Sequence, residues 1–157
     1  MGRVYTVSFD QQTIAAASGD YDFFELDAAA EKPIRVLGWH LDNKSEVGDA
    51  QEEMVAYAWV RGNTTTGNGT AATPRPIDGN DAAAGFVAET VSSTPASAGT
   101  AVNLDVGTFN IRTGGERWYP GEKVMPRTQG ADLLCLRLLT ALADDATMSG
   151  TVWVEEL

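Results

Sequence analysis

Apolar and polar residues alternate along much of this chain with a period of two. From Arg3 to Phe9, the side chains of Tyr5, Val7 and Phe9 interleave with those of Val4, Thr6 and Ser8. Successive side chains of an extended backbone point to opposite faces, so the pattern predicts a strand with one apolar face. Alternation is densest between Pro33 and Arg61, where two such runs flank an acidic connection. In the first run, Leu37, Trp39 and Leu41 share a face with Arg35, while Ile34, Val36 and His40 share the other. In the second, Val55, Tyr57 and Trp59 alternate with Met54, Ala56, Ala58 and Val60. β-Branched and aromatic enrichment, with Pro33 ahead of the pair and Gly62 behind it, favours strand over the competing helix. Tyr and Trp bury large apolar areas, so these faces are predicted to dominate a core.

Further strands are predicted over Asp22–Leu26, Phe86–Val91, Ala101–Ile111, Ala131–Leu139 and Thr147–Glu155. Within Ala101–Ile111, Val102, Leu104 and Val106 form one apolar strip, and Gly107 marks a bulge or bend before Phe109 and Ile111. Lys123–Pro126 reads as an edge strand, because Pro126 has no N–H to give a ladder. Ala28–Lys32 and Ile77–Ala84 offer no more than helical turns. Two polar stretches, Gly62–Pro76 and Ser92–Gly99, are rich in turn-forming residues and read as long loops. About eight strands without an amphipathic helix between them imply mostly antiparallel sheets, since parallel pairing needs helical crossovers. The expected fold is therefore all-β, an antiparallel β-sandwich of the jelly-roll kind with long polar loops, forming a single domain over residues 1–157.

Composition narrows the classes of function. The 157 residues are 43% hydrophobic, enough for one real core. Against 22 acidic residues stand only 11 Lys and Arg, and the net charge is −11. The basic residues read as scattered, which argues against nucleic acid, whose phosphates call for clustered Lys and Arg. The same charge disfavours anionic membrane surfaces. No apolar run reaches transmembrane length, and the start of the chain reads as structure and not as a secretion signal. The formal glycosylation sequons at Asn43, Asn63 and Asn68 accordingly carry little weight. Cys135 is the sole cysteine, so no intrachain disulfide can form.

Candidate chemistry is thin. His40 is the only histidine and has no serine or cysteine near it in sequence, so a structural role is expected over that of a triad base. Cys135 sits in a leucine run, where a buried inert thiol is expected. Asp42 and Glu53 stand at the first and twelfth positions of a calcium-loop pattern. Lys44 then falls at a ligand position and Val47 where the turn needs glycine, which favours a solvated acidic loop. Glu52–Glu53 and Glu155–Glu156 are neighbours that an extended backbone points apart, so neither pair makes a glycosidase dyad by itself. No catalytic residue, cofactor site or metal site is expected. The candidates for partner contact lie elsewhere. Trp118 and Tyr119, beside Pro120, either pack over the end of a sheet or anchor a partner. The loop bearing Asn63, Thr65, Asn68 and Arg75 either orders against a partner or stays a mobile surface loop. The first strand, with Tyr5 and Val7, is suited to strand addition onto a neighbour.

Three stretches carry a resemblance: VGDAQEEMVAYAWVRGNTTTGNGTAATPRPIDGNDAAAGF at 47–86, FNIRTGGERWYPGEKVMP at 109–126 and GTVWVEEL at 150–157. Together they resemble a family of small virion proteins encoded among the head and tail genes of tailed phages and their prophages, over roughly residues 33–157. The resemblance implies a β-rich structural component without catalysis. In that setting small jelly-roll proteins are often decoration, or cement, proteins on the outer face of the capsid, commonly trimers. The partners it implies are the major capsid protein and the chain itself as a homotrimer, with assembly in the host bacterial cytoplasm. A tail-associated receptor- or carbohydrate-binding module is the alternative, with Trp118, Tyr119 and the 62–76 loop as its contact surface.

Overall fold

The computed structural model describes residues 2–16, 19–45 and 52–157. Among them run twelve strands: β1 (Arg3–Ile14), β2 (Tyr21–Asp27), β3 (Ile34–Asn43), β4 (Met54–Asn63), β5 (Thr70–Ala72), β6 (Arg75–Pro76), β7 (Val87–Ser92), β8 (Val102–Asn110), β9 (Gly115–Trp118), β10 (Arg127–Thr128), β11 (Leu133–Leu138) and β12 (Ala146–Glu156). One sheet runs β6-β1-β12-β3, and both β9 and β10 pair with the free side of β3. The other runs β5-β7-β2-β11-β4-β8. Every pairing is antiparallel, and the two sheets pack face to face as the expected all-β sandwich.

The core is made by the alternating residues of both inner faces. Tyr5 and Val7 of β1, Val152 and Val154 of β12, Leu134 and Leu136 of β11 and Val55 and Trp59 of β4 are fully buried. Full burial of one such aliphatic or Phe side chain contributes about 1.5–3 kcal/mol. Aromatic rings bridge the layers: Trp39 meets Tyr57 edge-on at 4.8 Å between centroids, and Phe9 lies 5.4 Å from Phe24.

Strict alternation misassigns β3. Its pairing with β12 steps from Val36 opposite Val154 to Gly38 opposite Trp153, which leaves Leu37 as an extra, unpaired residue. Such a bulge shifts the inward face by one position. Ile34 and Val36 therefore join Trp39 and Leu41 in the core, while Leu37 and His40 are only half-buried. The strip Val102, Leu104 and Val106 is likewise not core. All three are exposed on β8, the outermost strand of its sheet, and Phe109 faces inward by ordinary alternation. Gly107 marks no bulge: it pairs with Tyr57 in unbroken register, and the irregularity of β8 falls instead at Leu104, between the Asn103–Val60 and Asp105–Trp59 pairs. Lys123–Pro126 is not an edge strand: a 3-10 turn covers Glu122–Val124 and the short β10 follows it.

Neither polar stretch is a loose loop. Thr65 forms a bridge with Ser97, Thr70–Ala72 pairs with β7, and Arg75–Pro76 pairs with Tyr5 and Thr6 of β1. The 62–76 segment thus crosses from one sheet to the other. The 92–99 segment lies as a strap over the outer face of the second sheet, where Ala96 packs on Leu133 and Cys135. Its last residue, Gly99 (φ 67), closes against Gly62 (φ 101); both positive φ values favour glycine, and an added Cβ at either would collide with an opposing backbone carbonyl.

Under the strap lies a buried polar cluster. Arg137 forks onto Asp22 at 2.6 and 2.9 Å and also donates to the carbonyl of Ala96 at 3.0 Å. Asp22 accepts from the Ala96 N–H at 2.8 Å, and Asn63 donates to the Ala98 carbonyl at 3.0 Å. Glu25, 1% exposed, accepts from the Gly67 N–H at 2.8 Å through one oxygen, while among the described residues its other oxygen has no hydrogen-bond partner. Glu89 stands directly across the strand pair from it and Cys135 on its other side, with Asp22 and Arg137 next along the same face. Burial, with a further contribution from Asp22, pushes the Glu25 carboxyl above its ordinary pKa, and burial likewise pushes the Cys135 thiol up. Folding therefore favours protonated Glu25. Its contribution is fully present below the unfolded carboxyl pKa, about 4.3, and is lost as pH rises through the higher folded value. Glu25→Gln is expected to melt later than the parent at neutral pH, by about 1–3 kcal/mol of stability, with the gap closing as pH falls toward the unfolded value. Paired thermal melts across that range check it; an equal gap at every pH would contradict it.

Candidate docking groove

Segment 115–128 builds one wall of a groove at the β8 side of the sandwich, and the backbone shows why it holds its shape. β9 pairs with Gly38–Leu41 of β3, and β10 with Ile34 and Arg35. Between them the Tyr119 N–H donates to the Leu37 carbonyl at 3.0 Å, and the Val36 N–H donates to that of Pro126 at 2.9 Å. Arg35 pins the intervening 3-10 turn, donating to Glu122 at 3.0 Å and to Glu155 at 2.7 Å. That guanidinium holds the exposed Glu122 carboxyl below its ordinary pKa. Across the gap, the Tyr119 hydroxyl donates to Asp105 of β8 at 2.6 Å, and Arg117 approaches the same carboxylate at 3.2 Å. Burial and the neighbouring Asp105 keep the Tyr119 phenol protonated well above the ordinary tyrosine range.

The groove encloses about 590 Å³. Arg61, Arg117, Lys123 and Arg127 line it together with Leu104, Val124, Met125 and the Trp118–Pro120 corner. Four of the chain's 11 basic residues thus converge on one site, although the sequence reads them as scattered. Arg117, Lys123 and Arg127 come from β9, the 3-10 turn and β10 of the one 115–128 segment, and Arg61 joins them from β4, far off in sequence.

The corner splits between its two expected roles. Tyr119 packs: it is 8% exposed and clamps the two sheets through Asp105. Trp118 is 56% exposed. Its indole rests on Trp153 at 4.7 Å between centroids, above Gly38, where a Cβ would collide with the indole ring. His40 continues the row at 5.4 Å from Trp153, with its Nδ1 3.2 Å from an Asp42 oxygen but outside hydrogen-bond geometry. Thr6 stands beside Trp153 and Thr151 beside His40, so this outer face carries aromatic rings flanked by hydroxyls.

The other candidates lie apart from the groove. Tyr5 and Val7 are fully buried within the chain's own core, which leaves their side chains no surface for a neighbour, and β1 is paired with β12 along most of its length. Asn63 is buried beneath the strap. Thr65 and Asn68 face outward, but Thr65 bridges Ser97 and Asn68 accepts from the Thr94 N–H at 2.8 Å. Arg75 is exposed on β6, at the opposite side of the first sheet from β9. Glu155 and Glu156 serve separate partners: Arg35 for the first, Lys32 at 3.6 Å and the Gly85 N–H at 2.6 Å for the second. Of the acidic connection 42–53, residues 46–51 lie outside the described residues. Among the described residues no group of three or more His, Cys, Asp or Glu side chains is placed to hold a metal. No protein-family model, no curated protein and no solved structure matches the chain.

Proposed function

We propose that this chain is a non-enzymatic structural protein of a phage virion, a decoration protein that binds the major capsid protein on the outer face of the head and stabilises the shell. The observation that carries a docking role is Trp118, a large apolar side chain held half in the open at the rim of a cationic groove. Trp and Arg dominate the energetics of protein interfaces, and a rigidly backed indole loses little freedom on binding. The assignment to a capsid rests on the resemblance of residues 47–86, 109–126 and 150–157 to virion proteins. The sandwich is read as a jelly roll, because β1-β12-β3-β9 faces β2-β11-β4-β8 with partners far apart in sequence, as two wrapped Greek keys require. Self-association as a trimer has a candidate surface in the exposed Val102, Leu104 and Val106 of the outermost strand β8.

Purified protein added to capsids that lack it should rebind stoichiometrically and raise the temperature at which the shells break. Trp118→Ala should lose rebinding while costing under about 1 kcal/mol of folding stability, since a side chain this exposed has little burial to lose. Failure of the parent protein to rebind would end this reading.

One observation favours a second reading. The row Trp118–Trp153–His40, flanked by Thr6 and Thr151, has the aromatic and hydroxyl chemistry of a sugar-binding face. Retention on a glycan array, together with location on the tail and not the head, would favour a receptor- or carbohydrate-binding module instead.

A further inference from the structure

We infer that the groove beside Trp118 takes a short acidic polypeptide segment of the partner, one that also carries an apolar side chain. This rests on the docking reading and adds to it the chemistry of what is docked. In a chain of net charge −11, a site lined by four cations is a concentrated exception. Its one lining carboxylate, Asp105, is already engaged by the Tyr119 hydroxyl and Arg117. Nearby Glu122 is held by Arg35. Among the described residues, no ion pair within 4.0 Å reaches Arg61, Lys123 or Arg127; Arg61 donates only to the backbone carbonyl of Arg127, at 3.2 Å. Positive charge without its own counter-charge, walled by low-dielectric side chains, attracts carboxylates more strongly than the same charges spread over a surface.

Two features restrict the anion to a peptide. The walls are apolar as well as cationic: Trp118 is 56% exposed and Val124 58% exposed, which rewards a hydrocarbon side chain that inorganic phosphate lacks. The rest of the chain is strongly acidic, and at physiological salt its field reaches about 8 Å. A nucleic acid strand leaving the groove would run onto that repelling surface, whereas a short segment ends within it.

The test is titration of the full-length protein with a short synthetic peptide of glutamates interrupted by leucine, read by tryptophan fluorescence. Trp39 and Trp59 are 1% and 0% exposed, so the change reports chiefly on Trp118 and its neighbour Trp153. Expected are saturable binding, weakening with added salt, and a loss of about tenfold or more in affinity in the double charge reversal Lys123→Glu with Arg127→Glu. A lysine-for-glutamate version of the peptide should not bind. Both reversed residues are exposed, and an unchanged melting temperature confirms that the fold is intact. Absence of saturable binding, an unaltered affinity in the reversed variant, or equal affinity for inorganic phosphate or a single-stranded oligonucleotide would each overturn the inference. Rebinding to capsids separates the two readings. If Trp118→Ala abolishes it and charge reversal does not, docking stands and the acidic partner falls. If the parent does not rebind, docking on capsids falls while the peptide titration still decides the chemistry of the groove.

Discussion

Asp22→Ala is expected to lower folding stability by about 3–5 kcal/mol, because it leaves the buried Arg137 guanidinium without its counter-charge. Asp22 is 0% exposed and Arg137 8% exposed. The guanidinium would keep only neutral acceptors, the Ala96 carbonyl at 3.0 Å and the Asn63 amide oxygen at 3.3 Å. Small domains have a total stability of about 5–15 kcal/mol, so one substitution would consume a large share of it. The strap should feel the change first, since Asp22 also holds the Ala96 N–H. Denaturant unfolding measures the loss, and amide exchange at Ala96 locates it. Asp22→Leu combined with Arg137→Met tests the cause. Removing both charges together is expected to cost much less than removing one, because buried ion pairs replaced whole by apolar groups are often neutral. If the single and double variants unfold alike, the pair is not what holds the strap.

How far the sequence discloses this molecule depends on whether a feature is local. Period-two alternation names most of the strands, because burial on one face imposes it directly: Tyr5, Val7 and Phe9, then Val55, Tyr57 and Trp59, point where their spacing says. The polar stretches are different. Ser92–Gly99 reads as a flexible loop, yet it covers Asp22 and Arg137, two charges that sit 115 residues apart in the chain. Local composition carries no mark of a cover that depends on so distant a pair. The groove is hidden for the same reason. Arg61, Arg117, Lys123 and Arg127 belong to four elements, and only the pairing of β9 and β10 onto β3 brings the last three beside the first. Trp118 and Tyr119 are legible as a pair of interest, but their division into one exposed and one buried ring follows from Gly38 and Asp105, which sequence alone does not place beside them.

Trp39→Ala and Leu37→Ala are expected to differ by several kcal/mol, although strict alternation puts both residues on one face. Trp39 is 1% exposed and packs against Tyr57 at 4.8 Å and Phe109 at 6.4 Å. Truncating it should cost about 3–5 kcal/mol, the lost transfer energy plus the cavity left between the sheets. Leu37 is the unpaired residue of the bulge and is only half-buried, so its truncation should cost about 1 kcal/mol, near the centre of ordinary substitutions. Without the bulge, Leu37 would lie in the core with Trp39 and the two losses would be comparable. Urea unfolding of the two variants side by side decides between these registers. The register also fixes the groove, because the extra residue at Leu37 sets Gly38 opposite Trp118 and hands its carbonyl to the Tyr119 N–H. Equal losses would therefore move Trp118 off its seat on Trp153, and the docking surface would have to be sought elsewhere on the sandwich.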